Sequence, residues 1–316
     1  MAIVAVPGGT GNVGRSIVEA LLASGKHQVK VLSRKPNPIL EAEIGAPILA
    51  VDYSNVDAIT KVLEDNNIDT VISGIAMHSI DGSRPHELEM IRAADKSKTT
   101  KRMISSDWGT PVKEEDIGAI PSIIHKWDAQ KALNETKDLE WTVFHNGFFL
   151  DYWGLPGVKS HMINSPLVNW LDVANNAAAI PGVGNTPALF THTTDVARFV
   201  VASLDLPKWD RATFIYGDKV TWNEMVRYAE EAKGTKFTVT YDSVERMKKG
   251  ETTELPGQIP LYKYIPKGVM QDYAAIFGLW FDSGAFDLKP EKFLNETFPE
   301  IKPMTAKEML DKAWRK

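Results

Sequence analysis

The residues with the plainest chemical use stand near the start of the chain. Gly8-Gly9-Thr10-Gly11-Asn12-Val13-Gly14 follows an apolar run at 3–6 and opens an amphipathic stretch at 12–23, whose Val13, Ile17 and Leu21 share one stripe. Glycines 9, 11 and 14 keep the spacing of a dinucleotide-binding turn. That spacing occurs by chance, but a strand before it and a helix after it supply the context that gives it meaning. The first glycines permit a tight turn, Gly11 lets backbone approach a pyrophosphate, and Gly14 lets helix pack on strand. The helix N-terminus then offers N–H groups and partial positive charge to phosphate. A plain glycine turn is the alternative.

The second clue lies about 20 residues past that loop, where an acidic residue would hold the ribose 2′-hydroxyl of NADH. This chain has Ser33-Arg34-Lys35 there. A carboxylate repels a 2′-phosphate, whereas a guanidinium and an ammonium attract it and donate several hydrogen bonds. The expected cofactor is therefore NADPH/NADP+. The competing reading is a solvated basic turn.

These groups need a scaffold. Apolar runs at 3–6, 28–32, 48–51, 70–76, 102–105 and 141–145 alternate with amphipathic stretches at 12–23, 56–63, 87–94 and 124–135. That pattern predicts an α/β fold, a Rossmann-type doubly wound parallel sheet with helices on both faces. Ligands sit at strand C-termini in such sheets, so Gly74 and Ile75 join the expected cofactor contacts. After Phe149 the alternation fades and Gly, Pro and aromatic residues become frequent. Helices are expected at 194–204, 221–232 and 305–313, the last started by Thr305. The predicted division is an NADP(H)-binding domain at 1–153, with a contribution from about 182–204, and a smaller C-terminal substrate-binding lobe at 154–316.

Composition removes several functions. The net charge is −5 with no long basic run, against the basic footprint of a nucleic-acid binder. There are no cysteines, so thiolate chemistry and disulfides are excluded. The seven histidines show no metal-ligand spacing, and no metal is expected. Neither a signal peptide nor a run near the roughly 18 apolar residues of a membrane span is seen. The expected setting is the cytoplasm, with no membrane or nucleic-acid partner, as a monomer or homodimer.

Taken together, Gly8–Gly14, Ser33-Arg34-Lys35 and Val51-Asp52-Tyr53 resemble the NmrA-like and isoflavone-reductase-like family of atypical short-chain dehydrogenases/reductases. Further on, Lys101-Arg102-Met103-Ile104-Ser105-Ser106-Asp107-Trp108-Gly109 looks like the family's Arg-Phe-x-Pro-Ser-Glu-Phe-Gly segment. Trp141-Thr142-Val143, Asn146-Gly147-Phe148-Phe149 and Asp195-Val196-Ala197-Arg198 resemble later family segments in the right order. Asp107-Trp108 replaces Glu-Phe, and Ser105 stands where proline is common.

The resemblance implies Asp52 and Ser106 as further cofactor contacts, in an NADPH-dependent oxidoreductase without the Tyr-x-x-x-Lys motif of ordinary short-chain dehydrogenases, which is absent here. The family's lysine on the helix before the sixth strand corresponds to Lys126, the expected proton donor or acceptor beside hydride transfer. A surface lysine is the bland alternative; Lys131 and His125 read as its neighbours. His78, Trp108, Phe148, Phe149 and Trp153 are expected to contact substrate, an aromatic/phenolic or conjugated carbonyl compound or a benzylic ether. Most of the aromatic residues after Phe148 are expected in the core. Two other readings stand beside this one: a non-catalytic NADP(H)-sensing regulator, and a quinone reductase of the same fold that needs no lysine.

Overall fold

The computed structural model describes residues 1–77, 84–162 and 169–315. Short apolar and β-branched runs make β1 (Ile3–Pro7), β2 (Gln28–Ser33), β3 (Ile48–Ala50), β4 (Thr70–Ile72), β5 (Arg102–Gly109) and β6 (Glu140–His145). Between them lie α1 (Asn12–Ser24), α2 (Pro38–Ile44), α3 (Val56–Asp65), α4 (Glu87–Lys96) and α5 (Pro121–Asn134). The strand Ala212–Phe214 adds a seventh member beside β6. All neighbours pair in parallel, in the order Ala212–Phe214, β6, β5, β4, β1, β2, β3. A parallel sheet covered on both faces must be apolar throughout; Val4, Val6, Val71, Ile72, Met103 and Ile104 are accordingly all fully buried. Strand order reverses between β1 and β4, which opens a crevice at their C-terminal ends.

Two features escape the apolar pattern. Helix α2 buries only Ile44, so it has no stripe to read; Asn37 caps it by accepting from the Leu40 N–H at 3.0 Å. Strand β4 ends at Ile72, short of the expected 76. Ser73 and Gly74 still donate their N–H groups to Ile104 and Pro7 (2.8 Å each) before the chain turns away.

The chain folds as two units. The first comprises Met1–His145, Val196–Ile215 and Phe293–Ile301; the second comprises Asn146–Asp195, Tyr216–Lys292 and Lys302–Lys316. The division falls at His145, ahead of the expected 153, and two residues on Gly147 takes a left-handed φ of +69°. Phe148–Phe149 then pairs with Ala188–Thr191 in a different sheet.

In the second unit, two three-stranded sheets and the helices Trp222–Lys233, Lys267–Asp282 and Ala306–Trp314 enclose a core of rings. Phe148, Trp153, Trp170, Phe190, Trp222 and Phe281 meet there at centroid distances of 5.0–6.4 Å. The helix Lys267–Asp282 buries Met270, Ala274, Ala275, Gly278 and Phe281 while larger apolar residues such as Ile276 and Trp280 stay half-buried, so its apolar pattern does not mark the buried face. Thr221 and Thr305 start their helices with reciprocal Glu224 and Glu308 capping boxes.

Candidate cofactor and active site

The glycine loop leaves β1 and enters α1 at the crevice. Gly8 has φ +72° and Asn12 φ +48°, both left-handed. A Cβ on Gly8 would lie 2.5 Å from the Gly74 oxygen, and one on Gly74 2.8 Å from the Gly14 Cα. A Cβ on Gly14 would in turn press on the Gly8 carbonyl carbon at 2.9 Å. Gly8, Gly14 and Gly74 therefore pack backbone on backbone, drawing the turns after β1 and β4 together. Gly11 differs: a Cβ there would meet nothing within 4 Å.

Open space at Gly11 coincides with an uncapped helix. The side chains of Asn37 and Asn55 cap α2 and α3, but α1 has no side-chain cap and no acidic residue in its first turn. Its amides and dipole suit an anion. Thr10 is exposed at this opening, while the Val13 side chain is in the core and leaves only its backbone to a ligand. Arg34 and Lys35, past the end of β2, are exposed and form no ion pair with the described residues; Ser33 beside them is half-buried. Asp52 follows β3 and accepts from the N–H and hydroxyl of Ser54 at 2.9 and 2.7 Å, which holds its carboxyl below the usual range. These residues fit a dinucleotide with a 2′-phosphate: glycines for close approach, an uncapped helix for the pyrophosphate and a basic pair at the ribose.

The turn after β4 is fixed from below. Glu87, 1% exposed at the start of α4, accepts from the Ser73 hydroxyl (2.6 Å), the Ser105 hydroxyl (2.7 Å) and the Ser106 N–H (2.9 Å). Burial pushes its carboxyl up. The Ser106 hydroxyl donates to the Ile75 oxygen at 2.7 Å. Gly74, Ile75 and Ser106, expected at the cofactor, thus form one braced edge.

Lys126 lies at the same edge of the sheet. On α5, positions 123, 126, 129 and 133 form the buried stripe, and Lys126 is 8% exposed among Ile123, Ala129 and Leu133. Its Nζ donates to the Trp108 carbonyl at 2.9 Å and pairs with Asp107 Oδ1 at 3.1 Å. The Gln130 amide donates to Asp107 Oδ2 at 2.6 Å. Lys131 and His125 stand off this stripe, Lys131 exposed and near Asp128 at 3.9 Å. His145, at the end of β6, packs on Phe214 with centroids 5.1 Å apart. Burial pulls its imidazole down to about 4, with Asp107 opposing the shift and Lys126 adding to it. The His145 Nδ1 has no hydrogen-bond partner among the described residues.

Of the expected substrate contacts, Trp108 is half-buried in this unit; its indole donates to the Ser73 oxygen at 3.1 Å and leans on Phe144. Phe148 and Trp153 are core members of the second unit, at 8% and 3% exposure, and Phe149 is half-buried there. His78 lies outside the described residues. Asp107, Gln130, His145 and Glu87 were not among the expected site residues. Gln130 had a signal, since it falls four residues after Lys126 and shares its helix face.

Residues 8–161 match the family model described as NAD(P)H-binding. The oxidoreductase BOA1 of Botryotinia fuckeliana is 37% identical over 306 residues, 96% of each chain. The chain belongs to the NmrA-like and isoflavone-reductase-like family. It is an oxidoreductase that binds NAD(P)H. Other members similar to it are the oxidoreductase swnN of Metarhizium robertsii, 30% identical over 99% of this chain and 98% of that one, and the isoflavone reductase homolog IRL of Zea mays, 25% identical over 97% and 96%. The family's fold is seen in leucoanthocyanidin reductase of Vitis vinifera, solved with NADPH (TM-score 0.75, 19% identity, 98% of each chain). Among the described residues, no helix is long and apolar enough to cross a membrane.

Proposed function

We propose that this protein is an NADPH-dependent reductase of an aromatic/phenolic or conjugated carbonyl compound or a benzylic ether, working in the cytoplasm, with Lys126 handling the proton. One observation carries the reading: a buried lysine ammonium, fixed by a carbonyl and a carboxylate, stands at the strand edge that also bears the glycine loop. NADPH, when bound, supplies hydride to an electrophilic carbon. The chain's own residues do the rest. The α1 N-terminus and glycine backbone bind pyrophosphate, Arg34 and Lys35 select the 2′-phosphate, and the Glu87 brace holds the turn at Gly74–Ile75. Lys126 donates one N–H to the Trp108 carbonyl and lies in ion-pair contact with Asp107 Oδ1, which leaves N–H groups to offer a substrate oxygen.

The experiment is NADPH oxidation, followed by nicotinamide absorbance, against isoflavones, enones, benzylic ethers and quinones, in wild type and Lys126→Ala. General acid–base catalysis is worth about a hundredfold or more, so turnover should fall by that factor while NADPH still binds. Turnover of quinones alone, unchanged in the variant, makes the protein a quinone reductase. Tight NADPH binding without turnover of any compound makes it a redox sensor.

A further inference from the structure

Lys126 occupies a position on α5 that packing would give to an apolar residue. A lysine stays charged in such a place only where its charge is met. Asp107, 2% exposed, meets it at 3.1 Å. Gln130, one turn along the same face, holds the other oxygen of Asp107 at 2.6 Å. The Gln130 amide fixes the carboxylate, and the carboxylate with the Trp108 carbonyl fixes the ammonium.

We propose that Asp107, held by Gln130, is the positioning residue that keeps Lys126 loaded with a proton and aimed at substrate, so that the site gives a proton to an uncharged oxygen rather than taking one from a phenol. The proposal rests on the reading of Lys126 above.

The surroundings agree with it. The groups facing the pair are His145 from β6, neutral through burial, and Glu87 from α4, whose carboxyl burial and the nearby Asp107 charge push up. Neither adds a positive charge that would drive the proton off Lys126. In the reaction, a carbonyl carbon accepts hydride from the reduced nicotinamide, which becomes oxidised, and the carbonyl oxygen accepts one proton from the Lys126 ammonium. The product is an alcohol, or an enol when hydride adds in conjugate fashion. Lys126 is left as an amine beside the Asp107 carboxylate, whose negative charge favours its recharging from solvent.

Two readouts test this, one of which needs no substrate. In protein labelled with 13C-lysine, the Cε resonance of Lys126, identified by its loss in Lys126→Ala, is followed against pH. An opposite charge at this distance shifts a titration by about one pH unit or more. Asp107→Asn should therefore lower the midpoint by about that much, and Gln130→Leu should lower it less. With the compound turned over fastest in the panel above, Asp107→Asn should cut kcat about tenfold to a hundredfold with KM nearly unchanged. The alkaline loss of rate should begin at lower pH, and Asp107→Glu should recover part of it.

An unmoved midpoint and rate profile in Asp107→Asn, beside a Lys126→Ala enzyme that has lost turnover, overturns the role of Asp107 alone. A wild-type rate in Lys126→Ala overturns the reading of Lys126 itself. Should Asp107→Asn not fold, Gln130→Leu keeps both charges and decides the matter. A lowered midpoint with a several-fold fall in kcat supports the proposal, and wild-type values in both overturn it.

Discussion

Gly11→Ala separates binding from folding more cleanly than any other change in the glycine loop. The new methyl meets no protein atom within 4 Å, and Gly11 already has the extended backbone (φ −160°, ψ 175°) that alanine adopts freely. Stability should hold, or rise by about 0.4–1 kcal/mol as the unfolded chain loses freedom. The space the methyl takes is the approach to the uncapped α1 N-terminus. A phosphate displaced there loses at least one hydrogen bond to a charged group, worth about 1.5–3 kcal/mol, or roughly 10- to 150-fold in Kd. Gly14→Ala is the contrast, since its methyl presses on Gly8. Overpacking there should cost about 1–3 kcal/mol even without ligand. Thermal melts with and without NADPH, together with fluorescence titration of NADPH, measure both quantities. The reasoning is refuted if Gly11→Ala binds NADPH like the wild type, or melts as early as Gly14→Ala.

Three further outcomes follow from the same geometry. Replacing Arg34 and Lys35 together by alanine removes the charge-assisted donors for a 2′-phosphate; NADPH affinity should fall about 10- to 100-fold, with NADH affinity nearly unchanged, and equal loss for both cofactors would place the pair elsewhere. His145, held near 4 in the fold against an ordinary 6.5, favours the native state above 6.5, and that contribution disappears as pH falls toward 4. Linkage makes this about 3 kcal/mol, so chemical denaturation of His145→Phe at pH 7 and pH 4 should show a correspondingly smaller acid loss than wild type. Glu87→Leu leaves the Ser73 and Ser105 hydroxyls and the Ser106 N–H without their acceptor, at about 1–3 kcal/mol each before relaxation; urea denaturation should show a loss of several kcal/mol, and Glu87→Gln a smaller one.

The parallel sheet was legible because strands buried on both faces leave unbroken apolar runs, as at Val4–Val6 and Val71–Ile72. The glycine loop between β1 and α1 was legible because its glycines have to fall at fixed spacing between a strand and a helix. The polar half of the site was harder to read. Asp107, Gln130 and His145 come from β5, α5 and β6, and only the pairing of those strands brings them together. Sequence showed Asp107 merely as a departure from the family pattern. Glu87 reads as an ordinary acidic residue in the first turn of a helix, and nothing local says that three donors, from β5 and from the turn after β4, converge on it. The aromatic residues after Phe148 were expected mainly in a core; which of them take part in that core depends on elements such as Lys267–Asp282, whose buried face is largely small residues while larger apolar ones lie beside it.

The interleaving of the two units bears on how such a protein can be re-engineered or diversified. Each unit is assembled from three separate stretches, with chain joins at His145, Asp195, Ile215, Lys292 and Ile301. A fragment ending at His145 would lack the strand Ala212–Phe214 and leave β6 as a bare sheet edge, open to pairing with other chains. A single crossover therefore cannot graft the second unit of one relative onto the first unit of another. Chimaeras that recombine the two must exchange matched segments at all five joins, which makes substitution of individual side chains the easier route to a new specificity.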